Sequence, residues 1–86
     1  MPEICRFYGI VIKMYFADHA PPHFHAEYAE FEAGVAIHSL AVLTGDLPPR
    51  AMALVAEWAT LHQQELQALW ERASKLEALS RLDPLP

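Results

Sequence analysis

The sequence predicts an α+β domain: a small, mostly antiparallel sheet of three to four strands, with one long C-terminal helix packed on one face. Three observations predict it. Apolar residues alternate with period two through much of residues 4–44, the period becomes 3.6 after Arg50, and Pro or Gly clusters separate the periodic stretches. The 86 residues suit one domain, with residues 4–44 as its β-rich part, 49–75 as its helix and 76–86 as its tail.

Within Ile4–Phe16 the even positions Tyr8, Ile10, Ile12, Met14 and Phe16 are all apolar, which predicts a strand with its even face on the core. Gly9 within it suggests a bulge or a close approach by another group. Pro21 and Pro22 then stiffen a connection that cannot pair as central strand. His23–Tyr28 resumes the alternation, with Phe24, Ala26 and Tyr28 on one face and His23, His25 and Glu27 on the other. Phe31–Ile37 reads as a third strand with Val35 and Ile37 inward, and Leu40–Leu43 as a fourth beyond a turn at His38-Ser39.

The prolines at 48 and 49 suit a helix start, where a missing N–H costs no hydrogen bond. From there Ala51, Val55, Trp58, His62, Leu66, Leu69 and Ala73 fall on one stripe, with Gln63, Gln64, Gln67 and Glu71 opposite. A helix of roughly 25 residues is about 37 Å long, so its end is expected to overhang the sheet. Trp58 belongs to the core by this pattern, Trp70 lies at the stripe's edge, and His62 is expected to be buried and hydrogen-bonded to a carbonyl or a tyrosine hydroxyl. Leu76–Pro86 reads as a fraying helix end followed by an arm.

Eleven acids against six bases give a net charge of −5, which disfavours nucleic acid as a partner because phosphates need Lys and Arg. The single Cys5 excludes an internal disulfide. Neither a secretory leader nor an apolar run of membrane-spanning length is visible, so a cytoplasmic location without membrane contact is expected.

Asp18-His19-Ala-Pro-Pro-His23-Phe-His25 is the one unusual segment. His-x-His on a strand puts two imidazoles on one face, roughly 6.5–7 Å apart at Cα. Both can tilt toward one ion at a zinc–nitrogen distance near ~2.0–2.1 Å. His19, returned by the proline turn, is a candidate third ligand beside His23 and His25, and zinc or another imidazole-preferring divalent metal is the candidate ion. The same residues also suit the polar outer face of a half-buried strand, metal-free acid–base chemistry or contact with a partner. No residue is assigned as catalytic.

On the odd face of the first strand, Phe7, Val11 and Tyr15 stand with Lys13, away from the expected helix. Several apolar residues side by side on a sheet read as an interface, so these four are the candidate partner-binding residues. A homodimer, or a heteromer with a small neighbouring-gene protein, is the expected assembly.

Pro2-Glu-Ile-Cys-Arg-Phe-Tyr-Gly9, Met14-Tyr-Phe16, Asp18 to His25, Glu27-Tyr28, Leu47-Pro48, Val55-x-Glu57-Trp58, His62, Glu65-Leu66 and Trp70 together resemble the small bacterial family of domain of unknown function 4160. The family usually carries a Thr-Gly-type hairpin where this chain reads Ile37-His-Ser-Leu-Ala-Val42. The resemblance implies no established activity and no catalytic residue to carry over. It implies a toxin–antitoxin-like setting, because family members often occur beside another small protein. The expected function is therefore a small cytosolic partner-binding module, one component of a bacterial toxin–antitoxin-like pair. The alternatives are a histidine- or metal-dependent hydrolase or ribonuclease, and a structural homodimer without catalysis.

Overall fold

In the computed structural model, which describes residues 2–86, five strands form one antiparallel meander in chain order. They are β1 (Glu3–Phe7), β2 (Ile10–Lys13), β3 (His23–Tyr28), β4 (Phe31–Ala36) and β5 (Val42–Asp46), followed by α1 (Pro49–Leu61) and α2 (Gln63–Ser74). The α+β class stands. The sheet has more strands than the three to four expected, and two helices replace the single long one.

The extra strand comes from a hairpin inside Ile4–Phe16. Tyr8 and Gly9 have φ of +50° and +80°, the paired positive values of a type I′ turn, whose twist matches that of the flanking strands. Phe7 then pairs with Ile10, and Arg6 with Val11. The reversal resets the alternation, so Phe7 joins the core face instead of the outer face it was expected to share with Val11 and Tyr15. Phe7 is 5% exposed, and its ring centre lies 5.5 Å from that of Trp58. Ile10, Ile12 and Met14 are fully buried as the pattern requires, whereas Tyr8 at the turn and Phe16 beyond the strand are exposed.

β3 keeps its expected bounds and faces: Phe24 and Ala26 are buried on the helix side, while His23, His25 and Glu27 project from the open side. β5 starts later than expected, because residues 37–39 form the turn and Leu40 has a φ of +60°. Its register passes from Gly34↔Thr44 to Val35↔Val42, which leaves Leu43 as the extra residue of a bulge.

α1 buries Ala51, Val55, Trp58 and Ala59, and α2 buries Leu66, Leu69, Trp70 and Ala73. Trp58 sits between Phe7 and Phe24, with ring centres 5.5 and 5.9 Å away. Each such large side chain contributes roughly 1.5–3 kcal/mol when buried. The longest dimension of the molecule is 33 Å, shorter than the roughly 37 Å of an unbroken 25-residue helix. The helix breaks at His62, whose φ is −125°.

No Pro or Gly marks that break. The Thr60 hydroxyl donates to the Ala56 carbonyl at 2.7 Å, a bond that bends helices. The Gln63 side-chain amide donates to the Ile37 and His38 carbonyls, which ties the start of α2 to the β4–β5 turn. His62 therefore stands at a joint and is half-buried, not enclosed in the core. Its ring lies 5.2 Å from Trp58, and its partner is the Glu65 carboxylate instead of a carbonyl or a phenol.

The tail is a strap and not an arm. Leu76, with a φ of +60°, turns the chain back along β1. The Leu82 N–H donates to the Ile4 carbonyl at 2.8 Å, the Trp58 indole to the Asp83 carbonyl at 2.9 Å and the Tyr8 hydroxyl to the Pro86 carbonyl at 2.7 Å. Leu85 is buried in the main core. Among the described residues, no helix is long and apolar enough to cross a membrane.

Candidate metal centre

Three elements build the site. The proline loop supplies Asp18, β3 supplies His23 and His25, and β4 passes beneath them at Gly34. The loop is tied to α2 by a hydrogen bond from the Ala17 N–H to the Ala73 carbonyl at 3.2 Å. β3 pairs with β2 through Lys13↔His25 and with β4 through His23↔Ala36 and His25↔Gly34, so both imidazoles stand on a rigid support. A Cβ on Gly34 would lie 2.8 Å from the Thr44 hydroxyl and 3.9 Å from each imidazole. Glycine leaves the space that these groups close over.

One carboxylate oxygen meets both rings. Asp18 Oδ2 lies 3.0 Å from His23 Nε2 and 3.4 Å from His25 Nε2. One ligand atom from each of the three residues falls within 4.8 Å of the others, and among the described residues this is the one such group. A tetrahedral ion with bonds of about 2.0–2.1 Å separates its donor atoms by about 3.3 Å, close to the two short separations seen here.

The hydrogen-bond roles sharpen the point. His23 Nδ1 lies 2.7 Å from the Pro21 carbonyl oxygen, which only accepts, so Nδ1 carries the hydrogen and donates. In the neutral ring Nε2 then presents a lone pair to a carboxylate oxygen. Two acceptors at that separation need a positive centre between them, either a second ring proton or a metal ion. For Asp18 itself, burial pushes the carboxyl up, but the His19 backbone N–H and the His25 and His23 rings outweigh it and hold the group below its ordinary 3.8.

The surroundings orient the two imidazoles. The Trp70 ring lies 5.2 Å from His23, the Tyr15 ring meets His25 edge-on at 4.5 Å, and Glu32 Oε2 stands 3.8 Å from His25 Nδ1. A carbonyl hydrogen-bonded behind a ligating histidine fixes its tautomer and raises its basicity, and Pro21 stands in that place behind His23. The site opens into a cleft of about 210 Å³ lined by Asp18, His19, Pro21, His23, His25, Leu43 and Thr44.

Of the residues singled out in the sequence, His23 and His25 come together. His19 lies at the rim, its side chain 91% exposed and its Nδ1 3.0 Å from the other Asp18 oxygen. His19 was the candidate third ligand by sequence, whereas the side chain that stands within reach of both imidazoles is Asp18. Its place at the head of the proline-histidine segment was the available signal. Val11, Lys13 and Tyr15 do lie on the open side, half-buried, with Lys13 paired to Glu27 at 3.0 Å; Phe7 does not join them. Cys5 is buried and its thiol is pushed up by that burial, so it is a poor nucleophile.

The model of one protein family, described as a domain of unknown function (DUF4160), matches residues 9–71. That span contains the whole site and leaves out β1 and the strap. No curated protein and no solved structure matches the chain.

Proposed function

The chain belongs to the DUF4160 family, whose function is unknown, and within it we propose a metal-dependent hydrolytic module that holds one divalent ion, zinc by donor preference, on Asp18, His23 and His25. The observation that carries this reading is the convergence of three ligand atoms: with Nδ1 of His23 committed to Pro21, its Nε2 and that of His25 both turn toward Asp18 Oδ2. Three protein ligands with an open fourth side are the arrangement of catalytic zinc centres. An ion held there would supply Lewis acidity and lower the pKa of a coordinated water toward neutrality. The chain's own groups do the orienting, with Pro21 and Trp70 against His23 and Tyr15 against His25.

Elemental analysis after purification without chelators tests this, with His23→Ala/His25→Ala as control. One equivalent of zinc or a similar divalent metal in the wild type and none in the double variant supports the reading. No metal in either, together with no uptake on addition of Zn²⁺, defeats it.

A second reading, the partner-binding module of a toxin–antitoxin-like pair or a homodimer, is favoured by a different observation. β5 is an edge strand, all five of its residues are exposed, and Val42 and Leu43 stand side by side on it. The opposite edge, β1, is covered by the strap. Unpaired edges recruit strands from other chains. Light scattering and pull-down with Val42→Lys/Leu43→Lys test it: association that survives this variant removes the edge from the account.

A further inference from the structure

We infer that the cavity between the β1–β2 turn, α1 and the end of the strap binds a short zwitterionic peptide with an apolar side chain, its carboxylate at Arg50 and its ammonium group at Glu57. This cavity lies at the Tyr28 end of β3, shares no lining residue with the metal cleft and owes nothing to the ion.

Three parts of the chain enclose it. The hollow is about 500 Å³, within the roughly 300–1,000 Å³ of small-molecule sites. Ile10 and Leu85, both buried, and the half-buried Leu54 give it an apolar lining. Tyr8 and Tyr28 add two phenol rings that stay 60% and 36% exposed. The Tyr8 hydroxyl is anchored to the Pro86 carbonyl at 2.7 Å. Tyr28 lies against the bare backbone of Gly9, where an added Cβ would come within 3.4 Å of its ring. Exposed ring faces around an apolar hollow accept an aromatic or aliphatic side chain.

The charged groups set the ends of the ligand. Arg50, Leu54 and Glu57 follow at i, i+4 and i+7, so they share one side of α1 with the leucine between the charges. Seven residues at about 1.5 Å each separate the two charged positions by roughly 10 Å along the axis. A peptide of two or three residues spans roughly 7–11 Å when extended. A simple anion would satisfy Arg50 but face Glu57, and a simple cation would do the reverse. A zwitterion meets both.

Two local conflicts line this one cavity. Arg6 and Arg81 are engaged by Glu3, and Arg72 by the Ala78 carbonyl, but among the described residues neither Arg50 nor Glu57 has such a partner. Arg50 stands in the first turn of α1, which holds no acid, so its charge opposes the helix dipole. Tyr8 has a φ of +50° in a turn that favours Asn or Gly. Departures of this kind gather where a site, and not folding alone, dictates the residue.

The test is a calorimetric titration of the full-length protein with alanyl-phenylalanyl-alanine, its N-acetyl form and its C-terminal amide, with the Tyr8 and Tyr28 ring signals followed by NMR. The free tripeptide is expected to bind with a Kd below about 1 mM and to shift both ring signals, and each blocked form to bind at least about fivefold more weakly. Arg50→Gln should remove the preference over the amide and keep the preference over the N-acetyl form, and Glu57→Gln should do the opposite. Both side chains are exposed, so both variants should keep the wild-type urea midpoint. No binding of millimolar peptide, equal affinity for the blocked forms, or preferences unmoved by the two variants overturns the inference. Binding that leaves both tyrosine signals in place overturns it as well.

Discussion

His23 donates through Nδ1 to the Pro21 carbonyl at 2.7 Å, and that bond determines which nitrogen the ring turns toward Asp18. The expected consequence is a fixed tautomer. In zinc-loaded protein, long-range proton–nitrogen NMR should show His23 protonated at Nδ1 and ligating through Nε2. A spectrum with the hydrogen on Nε2 is incompatible with the site described.

Gly34 predicts a graded response. An added Cβ meets the Thr44 hydroxyl at 2.8 Å, and that hydroxyl sits on an exposed, rotatable side chain. Gly34→Ala should therefore change stability by less than about 1.5 kcal/mol. Gly34→Leu projects into the space beneath both imidazoles and should weaken zinc binding at least tenfold while far-ultraviolet circular dichroism stays unchanged. Equal zinc affinity in both variants would contradict the close approach.

The strap should behave as core. Leu85 is buried in the same cluster as Trp58 and Val55. Leu85→Ala should cost about 2–5 kcal/mol in urea unfolding, the usual range for a buried leucine. A loss under about 0.5 kcal/mol would show that the tail is only laid on the surface.

The acid limb of the stability curve has a nameable contributor. The Arg6 and Arg81 guanidinium groups beside Glu3 hold its carboxyl down to about 2, from an ordinary 4.5. A lowered pKa gives stability that is fully present above 4.5 and is lost as the pH falls through about 2. Carboxyl NMR should find Glu3 titrating near the lower value, and Arg81→Ala should move it upward. An ordinary titration in the wild type would remove the Arg81–Glu3 contact between strap and β1.

Parity was legible wherever the chain ran straight. The alternation in His23–Tyr28 placed both imidazoles on the open face and gave the bounds of β3 correctly. It failed where a turn carried an unusual residue. Tyr8 accepts a positive φ that sequence preference assigns to Asn or Asp, so the β1–β2 hairpin was hidden and Phe7 was placed on the wrong face. The break at His62 was illegible for a related reason. It depends on the Gln63 amide reaching the Ile37 carbonyl, 26 residues away, which periodicity does not record. Asp18 heads the proline-histidine segment, yet a carboxylate one residue from a histidine reads as a loop acid until the proline turn folds it back over β3.

The most direct measurement is a calorimetric titration of metal-free protein with Zn²⁺, run on the wild type, Asp18→Ala, His23→Ala, His25→Ala and His19→Ala. The account predicts one site in the wild type and an affinity reduced at least about a hundredfold by each of the three ligand substitutions. A loss of no more than about tenfold is expected for His19→Ala, because His19 is exposed and meets the site through the other oxygen of Asp18. Absence of binding in the wild type, or a ligand substitution that leaves the affinity unchanged, would contradict it.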